Sequence, residues 1–257
     1  NLDGGATIWI KQLDHGPPVR LALESDNNRL PTWTPDGKSV TFFSAVGGSP
    51  GLWTIRADGS SKAALQFREK RGALDSRWSP DGKWLVFCTF AGQPGSGDIL
   101  GIRPSMDTLS VPLVATSFKE SSPDLSPDGQ WLAYTSDESG RDEVYVVPFP
   151  NTNAAKWLVS TRGGTEPVWS HSGRELFYRD GDANLVAVAV RSNPTFSVGS
   201  VAVLFPAAGF RAGGRGAQYA VAPDDRRFLM IRRSFASTAE KLVVVENWFE
   251  ELKSKAR

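Results

Sequence analysis

Ser122-Pro-Asp-Leu-Ser-Pro-Asp-Gly129, followed closely by Trp131-Leu-Ala-Tyr-Thr-Ser136, is the stretch from which the fold can be read. Proline presets φ at the first corner of a turn, aspartate can bond its own backbone two residues on, and glycine takes the positive φ that other residues resist. The alternating run that follows is a strand. The same unit recurs as Leu30-Pro-Thr-Trp-Thr-Pro-Asp-Gly37, Ser76-Arg-Trp-Ser-Pro-Asp-Gly82, Glu166-Pro-Val-Trp-Ser-His-Ser-Gly173 and Gln218-Tyr-Ala-Val-Ala-Pro-Asp-Asp225. The turn proline falls at 35, 80, 127, 171 (a histidine there) and 223, in steps of 45, 47, 44 and 52 residues. That period is one four-stranded propeller blade.

Working outward, each turn is followed by an alternating strand: 39–44, 84–89, 131–136, 175–178 and 228–231. A loop rich in Gly, Ser and Asp leads to a third strand at 52–56, 99–103, 144–148, 185–190 and 242–245. A weaker fourth strand is expected at 64–67, 111–114, 156–159 and 201–205. Third- and fourth-strand material also opens the chain, at 7–10 and 19–23, with no turn motif before it. The sequence therefore predicts an all-β protein, a β-propeller of four-stranded antiparallel blades. Six blades with the first incomplete are favoured, and five are the alternative. One propeller domain is expected over 1–246, with a short helical tail over 247–257.

Composition limits the chemistry. The 257 residues are 40% hydrophobic and 22% charged, with 29 basic and 28 acidic side chains, a net charge of +1. This is a globular composition with no basic excess for nucleic acid. A single cysteine, Cys88, excludes an internal disulfide and a cysteine zinc site; two histidines, His15 and His171, exclude a histidine-rich metal centre. No apolar run approaches the ~20 residues needed to span a bilayer, and no secretory leader pattern stands at the first residues. No cofactor, metal site or membrane insertion is expected within this segment.

Most local motifs read as structure. Gly47-Gly-Ser-Pro-Gly51 matches a hydrolase elbow in letters but lies between two strands of a hairpin. Asp180-Gly-Asp-Ala-Asn184 has Leu185 and Arg191 where a calcium loop needs Gly and Glu. Asp137-Glu-Ser-Gly-Arg-Asp-Glu143 reads as a solvated hairpin tip, and Arg211-Ala-Gly-Gly-Arg-Gly216 as a mobile surface insertion. Trp33, Trp78 and Trp169 precede the turns and read as packing between blades; His15 and His171 read as surface turn residues.

The recurring Trp-Ser-Pro-Asp-Gly-Lys pattern resembles the TolB-type, WD40-like (PD40) propeller repeat. Residues 137–150, Gly163-Gly-Thr-Glu-Pro-Val-Trp169 and Glu246-Asn-Trp-Phe-Glu-Glu-Leu-Lys253 are similar to the C-terminal propeller of bacterial membrane-anchored serine/threonine kinases. That resemblance implies an extracytoplasmic location, periplasmic or cell-surface, and a sensor or docking role without kinase activity. The alternatives are a propeller hydrolase or lyase using channel carboxylates, and the lid of a prolyl-oligopeptidase-type peptidase. In a propeller the loops entering the innermost strands surround the central channel. The candidate ligand-binding residues are therefore Asn28, Arg29, Asp75, Arg77, Glu120, Ser122, Thr165, Glu166 and Gln218, a mixed polar set suited to a protein, peptide or glycan. No catalytic residue is assigned.

Overall fold

The structure is a computed structural model of the chain. It describes residues 6–11, 17–21, 28–45, 50–68, 72–89, 97–192, 195–213, 216–232 and the backbone of 241–245. His15, most of the Gly47–Gly51 motif and the expected tail helix lie outside the described residues. The chain divides into two compact units, Asn1–Lys119 and Glu120–Arg257.

The first unit holds a two-stranded sheet, β1 (Trp9–Ile10) with β2 (Val19–Arg20), then two four-stranded sheets. The first of these is β3 (Asn28–Trp33), β4 (Ser39–Ser44), β5 (Gly51–Arg56) and β6 (Ala64–Phe67). The second is β7 (Ala73–Trp78), β8 (Leu85–Thr89), β9 (Ile99–Ile102) and β10 (Val111–Val114). The second unit holds β11 (Glu120–Leu125), β12 (Trp131–Ser136), β13 (Glu143–Pro148) and β14 (Trp157–Leu158). Next come β15 (Gly164–Trp169), β16 (Glu175–Asp180), β17 (Asn184–Arg191) and β18 (Ser197–Pro206). A three-stranded sheet of β19 (Tyr219–Val221), β20 (Phe228–Arg232) and β21 (Lys241–Val245) follows. Every pairing is antiparallel between strands consecutive in sequence, the meander of a propeller blade.

Side-chain alternation explains why blades stack. Val186, Val188 and Val190 of β17 join one core with Trp131, Val144, Trp169 and Phe196; Leu185 and Ala187 join another with Phe177, Tyr219, Phe228 and Met230. A strand flanked on both faces is apolar at every position, so its run is continuous rather than alternating. In the first unit Phe43, Leu52, Leu74, Leu85 and Phe87 form the corresponding core between its two larger sheets. Cys88 is buried and forms no disulfide. Trp33 departs from the packing role expected of it: it is half exposed, whereas the equivalent Trp169 is buried.

The turns share one hydrogen-bond pattern that the letters Pro-Asp-Gly only half convey. In the first three turns the residue before the proline is Thr or Ser, and its hydroxyl donates to the aspartate: Thr34 to Asp36 and Ser79 to Asp81, each at 2.6 Å, and Ser126 to Asp128 at 2.5 Å. The same hydroxyl accepts the first strand N–H, from Ser39, Trp84 and Trp131. The aspartates accept the N–H two residues on, from Lys38, Lys83 and Gln130. These hydroxyls are the leading reason that Asp36 and Asp81 titrate below the usual carboxylate range.

Successive turns within a unit also touch. A Cβ on Gly82 would stand 3.8 Å from Pro35, and one on Gly173 would stand 3.7 Å from Pro127. Between the fourth and fifth turns both partners differ: His171 takes the proline's place and Asp225 the glycine's. Asp225 keeps the left-handed backbone, φ 57°, beside 65–68° at Gly37, Gly82, Gly129 and Gly173. Its carboxylate accepts N–H bonds from His171 at 2.6 Å and Ser172 at 2.9 Å, and lies 3.1 Å from His171 Nδ1. The two departures from the repeat are thus halves of one contact, made polar.

A double-mutant cycle tests this compensation. His171→Pro and Asp225→Gly should each cost about 1–2 kcal/mol, through lost hydrogen bonds to a charged acceptor. Together they restore the proline–glycine contact, so their joint cost should fall at least ~1 kcal/mol below the sum in urea unfolding. Strictly additive losses would show that the positions do not compensate. The charge also has a pH signature. Burial works against the Asp225 carboxylate, but the His171 and Ser172 donors hold its pKa below the ordinary value. Its contribution is therefore full above the unfolded pKa and lost as pH falls through the folded one. Asp225→Asn should flatten that part of the acid limb.

Candidate functional site

The inner strand of each four-stranded blade carries a bulge at one recurring place. Pairing jumps from Arg29 to Thr32, Leu74 to Arg77, Ser121 to Asp124 and Thr165 to Val168. Two residues there oppose one, and the first has a left-handed backbone: Leu30 (φ 54°), Asp75 (40°), Ser122 (53°) and Glu166 (57°). The residue opposite is always a buried aromatic, Phe42, Phe87, Tyr134 or Tyr178. In three of the four the second bulge residue is proline, Pro31, Pro123 or Pro167. Proline has no N–H for the ladder, so a bulge is where an inner strand can hold it. Mid-strand proline was the available sequence signal for this feature. A bulge bends the strand and re-aims its side chains, and left-handed non-glycine residues cost on the order of 1–3 kcal/mol each.

In the first unit, Asn28 is buried at the start of β3, its N–H bonded to the carbonyl of Ala6, and Arg29 beside it is exposed. Asp75 is buried and receives Arg77 Nη1 at 2.9 Å; the same nitrogen donates to the Ser76 carbonyl at 3.0 Å. These two candidates are therefore brought together as an ion pair.

In the second unit, Glu120 and Ser122 are buried along β11 and Thr165 is half buried. Glu166 and Gln218 meet, through a network centred on Arg179 of β16. Glu166 and Arg179 are 4% and 3% exposed and pair at 3.2 Å. Glu166 Oε1 accepts the Gly213 N–H at 2.7 Å, and Oε2 accepts the Gln218 N–H at 3.0 Å. Arg179 donates to the carbonyls of Ala207 and Arg211, and its guanidinium lies 5.8 Å from the Tyr219 ring centre. The Tyr219 hydroxyl donates to the Glu166 carbonyl, and burial, aided by the Glu166 charge, pushes its pKa well up. The described part of the glycine-rich insertion is therefore hydrogen-bonded to two buried side chains: Glu166 and Arg179 act as its core, with their bonding capacity directed inward.

A second buried acid behaves alike. Glu143, expected in a solvated tip, is buried at the start of β13. It accepts from Arg141 at 2.7 Å and from the Gly163 N–H at 3.0 Å, and pairs closely with the Ser160 hydroxyl. The Asp180 carboxylate accepts the N–H groups of Asp182 and Asn184, which closes its turn with protein donors alone. Among the described residues no group of three His, Cys, Asp or Glu side chains converges to hold a metal ion.

Residues 1–127 match the family model described as PD40, the TolB beta propeller domain. A TolB homologue from Chlorobium luteolum is 26% identical over 147 residues, 57% of this chain and 32% of that protein. The crystal structure of TolB from Acinetobacter baumannii superposes with a TM-score of 0.71 at 18% identity, covering 93% of this chain and 57% of that one. The chain is a β-propeller similar to TolB. Dipeptidyl aminopeptidase BI from Pseudoxanthomonas mexicana is also similar, 30% identical over 104 residues, 40% of the propeller and 14% of the enzyme. The propeller thus spans less than half the length of either curated relative. Among the described residues no helix is long and apolar enough to cross a membrane.

Proposed function

We propose that this propeller is a non-catalytic module that binds a protein or peptide partner at the starts of its inner strands. The supporting observation is a constant backbone with variable side chains. In each unit two blades repeat the same left-handed bulge, while the accessible side chains beside it differ, Arg29 and Arg77 in the first unit and Thr165 in the second. Within either unit, a scaffold repeated with differing polar groups suits recognition of a chemically mixed partner. The buried acids nearby, Asp75 and Glu166, are both engaged by arginines and serve to hold that scaffold. The resemblance to kinase outer propellers supports the finer reading, an extracytoplasmic sensor or docking domain of a bacterial kinase. The peptidase match favours the lid of a peptidase as the second reading.

Site-specific photocrosslinking tests the binding role. A benzoylphenylalanine at Arg29 or Thr165, introduced in the source cells, should trap a discrete protein that a probe at exposed Asp58 does not. Equal crosslinking from all three positions would sink the proposal. The complete reading frame separates the finer readings: a kinase domain and membrane span upstream, or a hydrolase domain beside the propeller.

A further inference from the structure

A groove of about 870 Å³ opens at the turn end of the β15–β18 blade, at the opposite end of β15 from Thr165 and Glu166. Its lining includes Arg174, Arg191 and the serines 172, 192, 197 and 200, with no acidic and no aromatic residue. Arg174 follows the turn glycine, and its carbonyl accepts the Val190 N–H at 2.8 Å, which fixes its backbone against β17. Arg191 ends β17 opposite Ser197. Among the described residues neither guanidinium has an ion-pair partner.

The acids near this end of the blade are committed elsewhere. Asp225 is held by the N–H groups of His171 and Ser172. Glu175 is half buried and outside the groove's lining, and burial, reinforced by Asp225, raises its pKa. Two unneutralised arginines in a concave, hydroxyl-lined site match one chemistry. Guanidinium forks recognise the planar or tetrahedral oxygens of carboxylate and phosphate, and serine hydroxyls add donors.

We propose that this groove binds an oxyanion, a phosphate or carboxylate group, held by Arg174 and Arg191 with the surrounding serine hydroxyls. The absence of an aromatic platform disfavours a stacked base or sugar ring. The site is separate from the inner-strand surface, and neither depends on the other.

Isothermal titration of the 257-residue chain at low ionic strength tests this, with inorganic phosphate in one arm and tetraglutamate in the other. Saturable heat in either arm is expected, weakened at least about tenfold in R174Q/R191Q by loss of both charge-assisted forks. It should be unchanged in K38Q/K83Q, a control on other turns. Circular dichroism and a urea midpoint confirm that both variants are folded. Binding of phosphate alone assigns a phosphate group, and binding of tetraglutamate alone assigns peptide carboxylates. Silence in both arms, or equal affinity in R174Q/R191Q, would overturn the proposal. Melting temperature is not the readout, because phosphate also stabilises proteins by exclusion from their surface.

Discussion

Arg179→Met is expected to lower the unfolding free energy of the C-terminal unit by about 3–5 kcal/mol, the range for removing one partner of a buried ion pair. The substitution leaves Glu166 charged and 4% exposed, with only the Gly213 and Gln218 N–H groups for company. It also strips donors from the carbonyls of Ala207 and Arg211 and takes the cation from the Tyr219 ring. Arg179→Lys should recover little. A lysine is a point charge on a flexible stem and cannot present a planar fork to Glu166 and two carbonyls at once. Urea unfolding gives the magnitude. Hydrogen exchange locates it, with amides 211–213 and 216–218 losing protection first if the pair anchors that insertion. A midpoint within ~1 kcal/mol of the parent would mean that the pair contributes little beyond hydrophobic packing of the same volume.

Phe196→Ala should cost a similar amount, about 3–5 kcal/mol, because it opens a cavity in a closed aromatic cluster. Phe196 is 3% exposed. Its ring centre lies 5.2 Å from Trp131, 5.4 Å from Trp157 and 6.2 Å from Trp169, joining three strands of two adjacent blades. Trp131 and Trp157 also meet edge-on at 5.4 Å. Such pairs add about 0.5–1.5 kcal/mol each beyond the area they bury. Tryptophan emission should shift to the red in Phe196→Ala as water reaches the indoles, and Phe196→Leu should recover more than half of the stability. Unchanged emission together with an unchanged midpoint would contradict the cluster.

Both residues lay outside the repeat pattern, and the reason is instructive. Phe196 sits between the expected third and fourth strands, where periodicity carries no information. Arg179 directly follows the alternating run 175–178 and looks in sequence like any solvent-facing cation. Its partner Glu166 stands as a ligand candidate by its place in the repeat, and Gln218 likewise. What placed them together was the insertion after Pro206, whose carbonyls and N–H groups required buried partners. The inner-strand bulges were closer to legibility, since Pro31, Pro123 and Pro167 stand where a ladder would need an N–H. Leu30, Asp75, Ser122 and Glu166 range over an aliphatic, a hydroxyl and two carboxylate side chains, so their common backbone could not be inferred from residue type. His171 and Asp225 were visible as two separate irregularities. That one answers the other follows only when the fourth and fifth turns are adjacent.

The blade period, the turns and the alternation of buried faces follow from the residues themselves, because each depends on interactions within a few positions of the chain. A proline, an aspartate and a glycine make a corner wherever they stand in that order, and a strand's pleat sends neighbours to opposite faces. Which charges are buried, which acid answers which arginine, and which groove keeps its guanidiniums unpaired were decided by the tertiary structure. Those outcomes depend on which repeat lies beside which and on how much water is left between them, since desolvation sets both the cost of a charge and the strength of its partner's hold.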